Sequence, residues 1–417
     1  MNCISNTHKK TTIKLPVHGQ GVFLFENKNE KNLSSFIFYN KKKTDGIKVE
    51  LLNNNITVWR LSKDNEILHK LEHSLNIKGK YYWFSLDSQN QKFYAGIGEA
   101  RMENIIYQHS YPTKESNPEE YEKNKLFLES LHYIEISGLD LNLIKLLKDP
   151  IPQTISMIVK NINELTMTDI AKNNYMPKSC LNSMGQMLYD CIAGEKFVLD
   201  DDDFPDFSKA IEYSINTPKK WCYEKLKAKS TEFNKDKPNI LETYLRITLG
   251  QNNGESPGIP YVMEIWPVGH YSPIHNHAGA NAIIRVLHGQ IHVSLYPYLS
   301  TQNEEVGPFK EADFNKNDIT WISPNFNQTH KLTNLGTNKD TCVTIQCYMY
   351  DNEGDKKHYD YFDYLDADGA VQQYEPDSDM DFIEFKELMR KEWSERGLFE
   401  TFIAPVYAEF NPDYILR

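Results

Sequence analysis

The 417-residue sequence predicts a mainly β chain with a helical connector: a sandwich-like domain first, a barrel later, and a helical cap at the end. Three observations carry this. Short aromatic and β-branched runs recur between polar turns over roughly the first quarter of the chain. A middle stretch then spaces apolar residues three and four apart. A second strand-rich stretch follows, and within it WPVGHYSPIHNHAGANAIIRVLHG, from Trp266 to Gly289, holds four of the chain's 13 histidines. The boundaries read as 1–115 for the sandwich, 116–235 for the connector, 236–365 for the barrel and 366–417 for the cap.

In the first domain the runs are GVFLFE from Gly21, SFIFYN from Ser35, ITVWRL from Ile56, YYWFSLD from Tyr81 and KFYAGIGEAR from Lys92. Asn, Asp, Lys and Gly separate them, as turn residues do. In the connector, FLESLHYIEI, LNLIKLLKD and ISMIVKNI carry helical spacing, and Thr166-Met-Thr-Asp169 fits a capped helix start. FSKAIEYSI after Asp206 reads as a further helix, stopped before Pro218. The tail from Asp381 reads as one amphipathic helix whose stripe is Phe382, Phe385, Leu388, Met389 and Trp393, placed to cover the β core.

Composition narrows the function. The net charge of -12 argues against general nucleic-acid binding, which needs a basic surface. No run is long and apolar enough to span a membrane, and MNCISNTHKKTT lacks the apolar stretch of a signal peptide, so a cytoplasmic protein is expected. The six cysteines form no CxxC pair and read as reduced thiols. Three Asn-x-Ser/Thr matches, at Asn32, Asn55 and Asn327, carry no meaning without secretion. The acidic run Asp200 to Asp203 reads as a solvated loop.

His275 and His277 are one residue apart, so on a strand both point to the same face. Two imidazoles side by side begin a divalent-metal site, and His330, in WISPNFNQTHKLTN, is the best candidate for a third. An HxH pair by itself reads as two ordinary surface histidines. The surrounding spacing changes that: Gly269 six residues before His275, Gly289 twelve after His277, and later His330-Lys-Leu-Thr-Asn334. This two-part pattern resembles the cupin family and implies a double-stranded β-helix barrel. Many cupins place a glutamate three or four residues after HxH, where this chain has Asn281 and Ala282. The resemblance is therefore to three-histidine cupins, whose uncompensated metal charge favours an anionic ligand such as a thiolate. His270, His288 and His292 read as structural or exposed.

From about Asp203 to Met349 the chain resembles cysteine dioxygenases, three-histidine iron cupins that oxidise a thiol to a sulfinic acid. AIEYSINTPKKWC, ETYLRITLGQNNG, GHYSPIHNH and VTIQCYMY carry the likeness. It implies Fe(II), or another divalent transition metal, on His275, His277 and His330. It implies Arg246 as partner of a substrate carboxylate, Tyr244 as an aromatic neighbour, and Tyr348 beside the bound substrate. Gln346, Thr344 and Asn334 are expected behind the ligands. Three positions depart from the family. Ala282 stands where animal members have a cross-linked cysteine, Gln346 where there is a histidine, and Thr344 where there is a serine. A Thr-Gln-Tyr series hydrogen-bonds but does not carry a proton as imidazole does. On the residues alone, Arg246 reads as an exposed strand arginine, and Tyr348 reads equally as a core-packing residue or a chemical one.

The expected function is oxidation of a small carboxylate-bearing thiol to a sulfinic acid with O2. The alternative is a metal-holding or ligand-binding cupin without turnover, with the first domain as a recognition module for a protein partner. YYWFSLD and GIGEAR resemble the farnesoic-acid methyltransferase-like β domain. No methyl-donor site is legible there, so a binding or packing role is expected.

Overall fold

The computed structural model describes residues 10–26, 34–52, 55–62, 69–70, 81–138, 144–151, 155–233, 236–250, 260–299, 307–350 and 362–396. Four of the five aromatic runs of the first domain are strands throughout, and the fifth, KFYAGIGEAR, is strand over Lys92–Ile97. They sort into a six-stranded and a five-stranded antiparallel sheet. Alternation along each strand sends one set of side chains inward. Phe36, Phe38, Ile47 and Val49 from one sheet meet Phe23, Phe25, Phe84 and Phe93 from the other in a single core. Edge and tilted ring pairs such as Phe36–Phe84 at 5.1 Å interdigitate the two layers.

The sandwich takes in more of the chain than the aromatic runs. Leu131–Ser137 and Ile144–Leu147, expected as helix, are strands of the two sheets. Ile158–Lys160, also expected as helix, joins the barrel's large sheet. Of FLESLHYIEI only the beginning is helical: Pro118–Glu129, capped by the Asn117 side chain. The apolar residues of Leu131–Ser137 satisfy helical and strand periods together. Pairing with Ser34–Asn40 and Thr11–Lys14 settles the matter by burying Leu131, Ile134 and Ile136. The capping box at Thr166 and Asp169 forms as expected, and so does the helix Phe207–Asn216.

An eight-stranded sheet and a three-stranded sheet form the second β unit. Trp266 and Val286 of the first meet Ile291, Val293, Leu295 and Phe314 of the second across a shared core. On the outer face of the large sheet lie the helices Ser183–Ile192, Phe207–Asn216 and Phe382–Ser394. The last is capped by Asp381 and buries Phe385 and Met389 completely. The acidic run is not merely solvated. Asp201 and Asp203 receive Lys386 and Arg390 from this helix, and Asp200 accepts from the Ser208 amide and hydroxyl. The five described cysteines are all free thiols, while Cys3 and the glycosylation-pattern Asn32 lie outside the described residues. Among the described residues no helix is long and apolar enough to cross a membrane.

Candidate metal centre

His275 and His277 sit on an irregular extended segment and not in a regular strand, which corrects the strand expected around HxH. His275 and His330 pair through reciprocal backbone hydrogen bonds of 3.0 Å, which brings the third imidazole beside the first two. Sharp backbone turns release the chain on either side of the ligands. Ala278 and Gly279 after HxH, and Asn327 before His330, all have positive φ.

The three rings converge. One nitrogen from each of His275, His277 and His330 lies within 4.8 Å of the others, and this is the one such group of metal-ligating residues among the described residues. Ring centroids are 5.1 Å apart for His275–His277, 4.6 Å for His275–His330 and 4.9 Å for His277–His330. The far nitrogens of two rings are anchored. Nδ1–H of His275 donates to the Pro273 carbonyl at 3.0 Å, and Nδ1–H of His330 donates to the Asn327 carbonyl at 3.1 Å. Both rings therefore turn a bare Nε2 lone pair inward.

This donor set fits a divalent transition metal. The Nε2 atoms of His277 and His330 stand 3.2 Å apart, a separation that an N–H···N hydrogen bond spans in the metal-free protein and that two ligands of one ion also share. Burial holds His275 down to about 4 and His330 down to about 3. His277 is held well below its ordinary value, first by burial and then by the charges of His330 and His275. Neutral, inward-facing imidazoles remain, as metal ligation requires.

The cavity over the histidines is walled by Trp266, Ile284, Val286, Tyr348 and Phe362, with Arg246, Glu264, Thr344 and Gln346 on one side. Arg246 is buried, not exposed. Its strand Leu245–Leu249 pairs with Tyr261–Trp266 so that Arg246 faces Glu264 in register, and Glu264 in turn faces Thr344. The Arg246 guanidinium donates to Glu264 Oε1 at 2.6 Å. The other carboxylate oxygen of Glu264 accepts from the Gln346 amide, and Gln346 Oε1 accepts from the Tyr348 hydroxyl. Gln346 also reaches Thr344 Oγ1 at 3.3 Å. One polar row thus runs Arg246–Glu264–Gln346–Tyr348, and the Tyr348 ring stacks on His277 at 5.5 Å and 16°.

Glu264 went unread in the sequence, although a lone carboxylate in the apolar strand YVMEIW, opposite a strand carrying Arg246, was a legible signal. Burial pushes its carboxyl above the usual range, and Arg246 pulls it back. Tyr244 also lines the cavity, stacked on Trp266 at 4.2 Å, with its phenol pushed up by burial. Asn334 does not reach the cavity: its amide donates to the carbonyls of Trp266 and Asp340 and ties a loop instead. His270 is held by Thr243 outside the site, and His292 is held by Asp313 and Glu311.

No family model matches the sequence. Among solved structures, the chain is similar to the cupin domain of Schizosaccharomyces pombe Cnp3, at 13% identity and a TM-score of 0.20, over 26% of this chain and 65% of that one. It is similar to a cupin-like protein of Thermotoga maritima at 15% identity and a TM-score of 0.22, over 30% of this chain and 76% of that one. It is similar to the DMSP lyase DddQ of Ruegeria pomeroyi at 13% identity and a TM-score of 0.20, over 27% of this chain and 49% of that one. At this coverage none of them assigns an activity here. On geometry alone, the chain is a two-unit β protein whose second unit brings three buried imidazoles within reach of one point.

Proposed function

We propose that the chain is a metal-dependent, three-histidine thiol dioxygenase that takes up Fe(II) and oxidises a small thiol to a sulfinic acid. The observation that carries the reading is the convergence of His275, His277 and His330 as neutral ligands with no carboxylate among them. Such a site leaves a bound dication its full charge, which favours a thiolate. Bound Fe(II) would lower the thiol pKa and hold thiolate and dioxygen side by side. Both oxygen atoms end on sulfur, which loses four electrons as dioxygen gains them, so the reaction balances without a further reductant.

The chain's own residues shape the remaining space. Trp266, Ile284 and Phe362 exclude water. Tyr348 stacks on His277 and its hydroxyl donates to Gln346, which sets an uncharged polar group in the cavity wall beside the ligands. Glu264 bears on the role that the family resemblance implies for Arg246. Glu264 takes one guanidinium N–H, at Nη1, and offsets the charge that would draw a substrate carboxylate.

The test is direct. Purified protein is loaded with Fe(II) without air, and oxygen uptake and sulfinate are followed with cysteamine, cysteine and 3-mercaptopropionate. Turnover that His277→Ala abolishes supports the reading. Full metal occupancy without oxygen uptake from any thiol rejects it in favour of a metal-holding protein without turnover.

A further inference from the structure

The segment GIGEAR, Gly96 to Arg101, closes the first domain against the barrel. Gly98 has φ +71°, and a side chain there would collide with the Pro297 carbonyl, so the two units touch backbone to backbone. Beside it, Arg101 and Glu99 are buried charges of the first domain, with Arg101 at 0% exposure. They pair with each other at 3.3 Å, and Arg101 also bonds Glu103. What they grip is the loop that presents His330. Arg101 donates to Asn327 Oδ1 at 3.0 Å, and Glu99 Oε1 accepts from the Gln328 amide at 2.9 Å.

These two loop residues hold the metal ligands from behind. The Asn327 carbonyl receives Nδ1–H of His330. The Gln328 side chain accepts from the Gly279 amide at 2.9 Å and donates to the Ala280 carbonyl at 3.0 Å, and Ala280 N–H closes the turn onto the His277 carbonyl. Asn327 is held at φ 62°, a conformation a non-glycine residue keeps only when its surroundings impose it. Its side chain is clamped between Arg101 and the Trp321 carbonyl.

We propose that the first domain is a working part of the metal centre: Arg101 and Glu99 are positioning residues that fix the Asn327–Gln328 loop, and through it the rings of His330 and His277. The inference rests on the three histidines binding a metal, but it concerns a different set of residues. A second consequence is that the GIGEAR side of the sandwich is spent on the barrel and is not free to receive a partner.

The experiment measures affinity and the visible spectrum of Co(II), bound anaerobically to the full chain. The variants are Arg101→Lys, Asn327→Gly and Val49→Ala. Asn327→Gly keeps the carbonyl that holds His330 and tolerates the positive φ, but loses the side chain that Arg101 grips. Val49→Ala weakens the sandwich core from the six-stranded sheet, opposite the five-stranded sheet that carries GIGEAR. Residues that orient metal ligands typically change affinity 10- to 100-fold when altered. The expected result is a loss of about tenfold or more for Arg101→Lys and Asn327→Gly, with shifted Co(II) bands, while Val49→Ala binds as the unaltered chain does. Unaltered affinity and spectrum in both loop variants would overturn the proposal while leaving the metal site standing. An equal loss in Val49→Ala would overturn it too, by showing a general effect of stability. Failure of the unaltered chain to bind Co(II) would remove the metal site itself, and this proposal with it.

Discussion

Arg246 and Glu264 face each other on adjacent antiparallel strands and close a 2.6 Å ion pair in the wall of the histidine cavity. Both side chains are almost wholly buried, so neither charge is screened by water. The pair makes this wall close to neutral, where a free arginine would have made it a carboxylate receptor.

Substrate charge follows from that pair. In Glu264→Gln the guanidinium loses its partner, and a carboxylate-bearing thiol becomes the group that can replace it. The expected outcome is that kcat/KM for 3-mercaptopropionate rises at least about tenfold relative to cysteamine, which corresponds to about 1.4 kcal/mol of differential binding. Removing one member of a buried pair typically costs about 3–5 kcal/mol. The variant should therefore be less stable, and 3-mercaptopropionate should raise its melting temperature more than that of the unaltered chain. An unchanged substrate ratio would show that Arg246 is not within reach of substrate.

Tyr348 separates packing from chemistry. Tyr348→Phe keeps the ring that stacks on His277 and removes only the hydroxyl bonded to Gln346. Stability should fall by no more than about 1–2 kcal/mol, the usual effect of one lost hydrogen bond plus an unsatisfied partner. The rate of sulfinate formation should fall at least about tenfold, with little change in Co(II) affinity. An unchanged rate would assign Tyr348 to packing alone.

The pH dependence has a definite sign. The three histidines are depressed on folding, to about 4 for His275 and about 3 for His330, against 6.5 as the ordinary value. Below 6.5 the unfolded chain takes up protons that the folded chain refuses, so stability of the metal-free protein falls as the pH falls. The loss starts near 6.5 and continues through 4, while above 6.5 these groups contribute no slope. Urea midpoints of metal-free protein at pH 7.5, 5.5 and 4.5 check this. Replacing His330 by Gln should make the decline shallower, and an identical decline would contradict the assignment.

The terminal helix supports the barrel from outside. Phe385 is fully buried, with ring contacts to Phe207 at 5.9 Å and Trp221 at 5.5 Å. Phe385→Ala should cost about 3–5 kcal/mol by urea melting, as large-to-small changes in packed cores do. A cost under about 1 kcal/mol would mean the helix is not part of the folded unit.

Much of this was legible from residue order, for physical reasons. The aromatic strands announced themselves because aromatic and β-branched runs recur between polar turns, as in GVFLFE, whose Phe23 and Phe25 join the core. Thr166 and Asp169 announced a helix start because the capping geometry is local. The histidines could be picked out by spacing, since Gly269 and Gly289 do take positive φ at the turns around them. What stayed hidden depends on tertiary contact. Leu131–Ser137 has a pattern that serves helix and strand alike, and only its neighbours decide. Glu264 gains its meaning from Arg246 across the sheet, and Arg101 gains its meaning from Asn327, 226 positions away. Asn327 itself matched a glycosylation pattern, yet it is buried and fully engaged behind His330.

The central claim is that His275, His277 and His330 hold one metal ion, and metal titration of the purified chain tests it most directly. The expected result is one Fe(II) or Co(II) per chain, with X-ray absorption showing imidazole nitrogens at about 2.0–2.2 Å and binding lost in His277→Ala. Binding that survives removal of His277 and His330 together, or no stoichiometric binding at all, would contradict the account.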